Sequence, residues 1–403
     1  MKNVLIEFFD NDYLENIIAS FDGDFDEAVF FYESQNEELV KESRGYLKMF
    51  LKQKRKMNVE FRMIAPFDYQ SVISSFKQLR SEDTNYVFDT TGGSNFFIAA
   101  AGYFTAHYPQ ENEIRIYDIN QRICYSDRED QKCRKITLPK LKVEEVVKIH
   151  NASVIKEPRS LIRRNISNHD LEELKKLWKL ASADTAEWNR FMQSERTMFP
   201  ATKAGEKDVV KIVDTVSKRN LKSHNALIGR LQDNGFVKLI QKKPSEKKSS
   251  ATEVTYELFL SENISAAFKK AGNVLELYTY AAMKRSSCFD DVATGINLDW
   301  DTETNKSNEE TTNEIDVIAT AGCIPVVISC KNTTIIKEYL YELETVANHY
   351  CGKYSRKVII TSAKASPAVR NRAKDMGITV IDNSAKIEFE TFRRRLEKVG
   401  SLS

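Results

Sequence analysis

Five short runs in the first third of the chain constrain the fold most. VLIEFF (Val4–Phe9), AVFFY (Ala28–Tyr32), VEFRMI (Val59–Ile64), NYVFDTT (Asn85–Thr91) and EIRIYDI (Glu113–Ile119) are nearly continuous in β-branched and aromatic residues. Such runs suit strands covered on both faces. Helix-patterned stretches separate them, at Glu37–Lys54, Tyr69–Leu79 and Phe96–Tyr108. Strand–helix alternation of this kind predicts a parallel, doubly wound α/β sheet, placed at residues 1–145. The opening MKNVLIEFFDNDYLENII reads as the first buried strand and not as a signal peptide, because acidic residues follow the apolar run at once.

The pattern changes after that. DLEELKKLWKLAS (Asp170–Ser182) carries leucines and a tryptophan at helical spacing. KDVVKIVDTVSKRN and LKSHNALIGRLQDNG read as two consecutive helices, the second closed by Gly235. FVKLIQKK and TEVTYELFL then read as a hairpin with a basic tip. Helix, helix and hairpin together resemble a winged helix, within an α+β connector at residues 146–270. From residue 271 to 403 the order is helix (VLELYTYAAM), extended segment (CFDDVATGINLDW), polar loop and hairpin (NEIDVIATAG, IPVVISCKN). A helix, a strand, a further αβ unit and a terminal helix follow. A chain of 403 residues has room for such a three-domain α/β architecture.

Composition bounds the function classes. No apolar run reaches the roughly 18–20 residues of a membrane span, so no membrane partner is expected. Sixty Lys and Arg balance 58 Asp and Glu, so any polyanion must be met by local patches such as Lys238–Lys248 or Arg393, Arg394 and Arg395. The six cysteines form no CxxC pair and the five histidines do not cluster with them, which argues against structural zinc. Scattered cysteines suit a reducing, cytoplasmic setting.

Two constellations carry chemistry. In EIDVIATAGCIPVVISCKN, Glu314 and Asp316 are expected on one strand face, and Val327, Ser329 and Lys331 on one face of the next. Pairing these strands brings Asp316 beside Lys331. A carboxylate there can hold a divalent cation, and the ammonium can orient water or meet phosphoryl charge. Glu276, an acid amid apolar neighbours in LELY, is the best further ligand, with Asp291 second. A structural Asp316–Lys331 salt bridge is the alternative. The second constellation is DTTGGSN, where Thr90, Thr91, Gly92, Gly93, Ser94 and Asn95 sit between a strand end and a helix start. Backbone N–H groups and side-chain donors there suit a phosphate-bearing ligand. A tight turn without ligand is the alternative. Asn11, after the first strand, is expected beside this loop if the two strands are adjacent.

Glu276, NEIDV and ISCK together resemble the PD-(D/E)xK restriction-endonuclease-like nucleases over residues 270–385. Ser329 occupies the catalytic position where that family usually has Glu, Asp or Gln. The resemblance implies that the Cys330 carbonyl or a water completes the metal site formed by Glu276 and Asp316. The full domain order, with a Rossmann-like N-terminal domain carrying TGGS, resembles the CARF (CRISPR-associated Rossmann fold) nucleases of type III CRISPR antiviral defence. That resemblance implies a homodimer that binds cyclic tetra-adenylate, a cyclic oligoadenylate, across paired CARF domains. It also implies manganese- or magnesium-dependent cleavage of DNA or RNA. Two rivals stay open: a messenger-responsive transcription regulator with a noncatalytic C-terminal domain, and a ring nuclease that degrades its own messenger.

Overall fold

The computed structural model describes residues 1–11, 13–150, 153–154, 163–193, 208–217, 221–244, 246, 250–299 and 312–401. In the first third, β1 (Lys2–Phe8), α1 (Glu15–Ile18), β2 (Glu27–Glu33), α2 (Glu37–Arg55), β3 (Asn58–Ile64), α3 (Tyr69–Leu79), β4 (Thr84–Asp89), α4 (Asn95–His107) and β5 (Asn112–Asp118) alternate as expected. Their five strands run parallel in the order β3-β2-β1-β4-β5. The continuous apolar runs follow from coverage on both faces. Leu5, Ala28 and Phe30 pack into one cluster with α2, while Val4, Ile6, Val29 and Phe31 pack into another with α3 and α4.

Two short strands, β6 (Ile123–Ser126) and β7 (Cys133–Lys135), extend the sheet antiparallel beyond β5. Their brevity hides them from periodicity. The chain departs from β1 toward β2 on one side, and β4 lies on the other. The loops after β1 and β4 therefore flank a crevice at the carboxyl edge of the sheet, where open α/β sheets bind ligands.

Next come α5 (Val143–Ile149), β8 (Ser153–Val154), α6 (Asn168–Ala183), α7 (Thr185–Gln193), β9 (Asp208–Ser217), α8 (Leu221–Asp233), β10 (Val237–Pro244), β11 (Ala251–Leu260) and α9 (Glu262–Ala267). The expected helix over KDVVKIVDTVS is a strand, β9, which pairs along its length with β11. Val209, Val210, Ile212, Val213, Thr215 and Val216 explain the change: β-branched side chains favour an extended backbone once a partner strand is present. The helix–helix pair of the expected winged helix is thus a strand followed by one helix. Part of the basic hairpin tip lies outside the described residues.

The last third contains α10 (Asn273–Lys284), β12 (Asp291–Asp299), β13 (Thr312–Ala321), β14 (Ile324–Lys331), α11 (Lys337–Cys351), β15 (Arg356–Thr361), α12 (Pro367–Asp375), β16 (Ile378–Ile381) and α13 (Phe389–Gly400). The sheet order is β16-β15-β14-β13-β12-β8, so β8, far earlier in the chain, supplies its edge strand. Helices earlier in the chain share the core of this sheet. Leu174, Trp178, Trp188 and Leu227 join Leu275, Tyr278 and Phe392 in one cluster on the α10 face. Val143 and Val147 join Ile318, Val327 and Leu340 on the α11 face.

The turn of the β13–β14 hairpin is tucked against the N-terminal domain. Cys323 and Ile324 enter its cluster, and the Leu141 N–H donates to Gly322 O at 3.1 Å. Lys331, seven residues on, therefore sits roughly 23 Å farther from that domain at about 3.3 Å per residue. All six cysteines are free thiols. Among the described residues no helix is long and apolar enough to cross a membrane.

Candidate functional site

The β12–β13 ladder pairs Thr294 with Val317 and Ile296 with Ile315, leaving Gly295 and Asp316 unpaired. Gly295 has φ +62°, a left-handed conformation that glycine adopts at little cost. The expected alternation breaks there. Ile315 packs on the α11 face with Ile318, while Val317 packs on the α10 face. Asp316 sits at this break, its carbonyl held by Thr294 Oγ1 at 2.8 Å.

The β13–β14 ladder ends at Val317 and Ile328, so the strands part where Asp316 faces Ser329. The Asp316 carboxylate fills the gap, accepting the Cys330 N–H at 2.6 Å and contacting Ser329 Oγ at 3.4 Å. N–H and C=O of one strand residue point to the same side, so the Cys330 carbonyl also lies on the Asp316 side. The Cys330 thiol does not: it is buried on the opposite face against Thr279 Oγ1, 3.6 Å away. Burial pushes its pKa well up.

A cleft of about 240 Å³ opens between these strands and α11. Glu314, Asp316, Ser329, Lys331 and Glu342 line it. The Lys331 ammonium lies 4.8 Å from the Tyr339 ring centre and 4.0 Å from Glu342. Tyr339 and Glu342 of α11 thus both reach Lys331. Lys270 pairs with Glu314 at 3.2 Å. Its only sequence signal is a basic pair just before α10.

Glu276 stands in the first turn of α10. Burial pushes its carboxyl up to about 8, reinforced by Asp316 and Glu314 and opposed by Lys270 and Lys331. Burial also raises Asp316, against the Cys330 N–H and Lys331. Both shifts have the sign expected of clustered carboxylates short of positive charge.

Asp291 is not brought to this centre. It pairs with Thr320, four residues along the ladder from Asp316, or about 13 Å at 3.3 Å per residue. Its carboxylate is committed to Arg163 and the Val143 N–H, which hold its pKa down against burial. Among the described residues, the one set of three groups close enough for a shared ion is His169, Asp170 and Glu173, where Asp170 already bonds Ser167, Ser261 and Asn263. Glu276 and Asp316 therefore offer two carboxylates, with the Cys330 carbonyl on the same side. That set suits a magnesium-like ion, which is usually held by one or two carboxylates and keeps several waters.

The N-terminal loop is built differently from its sequence expectation. The Thr90 hydroxyl donates to Arg115 O at 3.3 Å, and the Thr91 hydroxyl to Asp89 Oδ1 at 2.5 Å. Both are engaged inside the loop. Ser94 caps α4, its Oγ accepting the Phe97 N–H at 3.4 Å. Gly93 has φ +105°, and a Cβ there would lie 2.9 Å from the Phe8 Cβ, so this position requires glycine. Asn11 and Asn95 are exposed on the two flanking elements.

Beneath the loop lie Glu7, Asp10, Glu15 and Asp89. Burial raises Asp89 to about 7 and Glu7 well above the carboxylate range. A Cβ on Gly92 would lie 3.2 Å from Glu15 Oε2. Glu15 in turn pairs with Lys353 at 3.0 Å and accepts the Tyr354 hydroxyl, both just beyond the end of α11.

Residues 265–398 match the family model of the Card1-like endonuclease domain. The last third of this chain is therefore Card1-like. Solved structures extend the likeness to the whole length. The protein VC1899 from Vibrio cholerae aligns over 100% of this chain and 99% of its own, at TM-score 0.72 and 14% identity. Can2 from Sulfobacillus thermosulfidooxidans, solved in complex with cyclic tetra-adenylate, aligns over 99% of both chains, at TM-score 0.67 and 16% identity. A type III CRISPR defence DNA nuclease activated by cyclic oligoadenylate aligns over 99% of this chain and 51% of its own, at TM-score 0.51 and 11% identity. No curated protein matches the chain. The resemblance to CARF-domain nucleases stands, as fold along the whole chain and as a domain family in its Card1-like third.

Proposed function

We propose that this protein is a nuclease of type III CRISPR defence, switched on by cyclic tetra-adenylate and dependent on manganese or magnesium. The observation that carries the reading is the parting of β13 and β14 in the Card1-like domain. There Asp316 and Lys331 line one cleft, the Cys330 N–H meets the Asp316 carboxylate, and the buried Glu276 on α10 lies within the field of Asp316 and Lys331. Glu276, Asp316 and the Cys330 carbonyl would hold the ion, which supplies Lewis-acid charge and a water of lowered pKa. Lys331, steadied by Tyr339 and Glu342, sets a cation beside the phosphoryl oxygens or the attacking water. Ser329 orients the Asp316 carboxylate through its hydroxyl. One P–O bond forms to water and one breaks, leaving a phosphate end and a hydroxyl end.

The messenger belongs in the crevice between the β1 and β4 loops, where Asn11, Ser94, Asn95 and the backbone of Gly92 and Gly93 face it. The carboxyls beneath suit ribose hydroxyls or the adenine amine better than phosphate. A two-fold dimer would present this crevice twice to a ring of four nucleotides. The helix that leaves the crevice, α4, exposes Phe96, Ile98, Ala99, Tyr103 and Ala106, an apolar stripe fitted to a second copy. Tyr103→Glu is expected to halve the mass measured by light scattering and to abolish messenger activation. The pairing of Glu15 with Lys353 and Tyr354 would carry the bound state to α11, whose Glu342 meets Lys331.

The test uses labelled single-stranded DNA, single-stranded RNA and supercoiled plasmid, with manganese and each ring size of cyclic oligoadenylate. Cleavage is expected with cyclic tetra-adenylate and manganese together, and none with a chelator. The absence of cleavage under every combination would remove the nuclease reading. Ser329 in place of an acid favours a second reading, a messenger-responsive DNA-binding regulator. A metal-free shift of duplex DNA, without cleavage, would support it.

A further inference from the structure

A second cleft, of about 360 Å³, lies between α6 and residues 385–389. Lys175, Lys176, Lys179 and Lys386 line it, against Glu172 and Glu388. Lys175 is engaged by Glu172 at 2.8 Å and lies 4.8 Å from the Phe389 ring centre. Lys176, Lys179 and Lys386 are exposed, and none of the three makes an ion pair among the described residues. In a chain whose charges nearly balance, three unpaired cations around one concavity are a local excess of positive charge.

The floor is rigid. Trp178, Tyr278 and Phe389 are buried in the main cluster of the third domain. The lysines are therefore set along a packed helix, α6, and in the short turn that precedes α13.

The position matters as much as the charge. Lys331 is in register with Thr361 on β15. The Thr361 carbonyl accepts the Ser384 hydroxyl at 2.8 Å, and Lys386 follows two residues later. Strand spacing of about 4.8 Å puts the end of β16 roughly 10 Å from that of β14. The helix α10 joins the two clefts from below: Glu276 belongs to the catalytic centre, and Tyr278, two residues on, to the lysine cleft.

We propose that the lysine-lined cleft between α6 and residues 385–389 holds the sugar-phosphate backbone of a nucleic-acid strand that extends out of the catalytic cleft. Lysines act there as mobile point charges, which position a strand without reading its sequence. The inference rests on the nuclease reading and adds where the substrate lies.

The test is the full-length K176Q/K179Q/K386Q variant with a fluorescent single-stranded oligonucleotide. Anisotropy is recorded across a salt series, with cyclic tetra-adenylate and without divalent metal, so that the strand stays whole. A control carries K52Q/K77Q/K132Q on the N-terminal domain. Losing three phosphate contacts lowers the log–log salt slope by about 2 for a single strand, at roughly 0.7 per contact. That drop, with an unchanged melting temperature and an unchanged slope in the control, is the expected result. A slope equal to wild type, or an equal loss in the control, overturns the proposal and leaves the nuclease reading intact. Retained strand affinity with lost messenger affinity would assign the cleft to the messenger and also overturns it. A wild-type chain that binds no strand overturns the proposal too, while the nuclease reading stands or falls by the cleavage assay with metal.

Discussion

Lys331→Ala is expected to lower messenger-activated cleavage by about 10²–10⁴-fold in kcat, with messenger affinity unchanged. The size of the effect follows from the surroundings of the ammonium. It shares its cleft with Asp316, Glu314 and Glu342, and it opposes the raised pKa of both Glu276 and Asp316. Its removal would take away the cation beside the proposed reacting phosphate and leave the carboxylates to repel one another. Lys331→Met keeps the length and the contact with Tyr339 but not the charge, so it should fail equally. A fold-loss confined to the alanine variant would point to packing. Asp316→Asn should fail as well, because the amide retains an acceptor for the Cys330 N–H but offers a poor ligand for a hard cation. Single-turnover cleavage at saturating messenger measures all three. Undiminished cutting by Lys331→Ala would unseat the assigned centre.

Glu15→Gln is expected to separate messenger binding from cleavage. Glu15 is 7% exposed and lies under Gly92, and it takes both the Lys353 ammonium and the Tyr354 hydroxyl. These partners directly follow α11, which runs back from the catalytic cleft to the N-terminal domain. From Glu342 to Cys351 is nine helical residues, about 14 Å of rigid rod at 1.5 Å per residue. A second contact braces the same end. Gly352 has φ +69° and sits so close to His150 that a Cβ would lie 2.5 Å from Nε2, and His150 packs edge-on to Tyr13 at 5.6 Å.

A coupling free energy typical of allosteric proteins, about 1–3 kcal/mol, corresponds to a fall in fold-activation of roughly 5–150-fold. Messenger affinity, read by calorimetry, should change far less. Tyr354→Phe and Lys353→Met should each lose part of the activation, and combining either with Glu15→Gln should add little, since the residues act through one contact. Additive losses would show that Glu15 acts elsewhere.

Much of this architecture is legible locally. The parallel N-terminal sheet announces itself because strands covered on both faces must be apolar at every position, as in VLIEFF and AVFFY. Helical spacing likewise shows α2, α3 and α4 within a residue or two. The one helix misread as such, β9, has β-branched residues whose preference depends on a partner strand supplied by β11, which pairs Ser217 with Ala251 and Asp208 with Leu260.

The centre is partly legible for the same reason. Asp316, Ser329 and Lys331 stand out as polar residues in strands otherwise made for burial, and Glu276 as an acid in an apolar helix. Asp291, the second candidate ligand, is instead held by Arg163, a partner 128 positions away that no spacing rule reveals.

Chain-local chemistry thus specified the element types apart from β6, β7 and β9, and which polar side chains needed a purpose. Long-range packing alone decided that β13 breaks at Asp316, that its carboxylate takes a backbone N–H where the ladder ends, and that Glu15 meets α11. The reason is physical: side-chain periodicity records which face is buried, whereas partners are chosen by contacts between segments whose separation along the chain carries no signal.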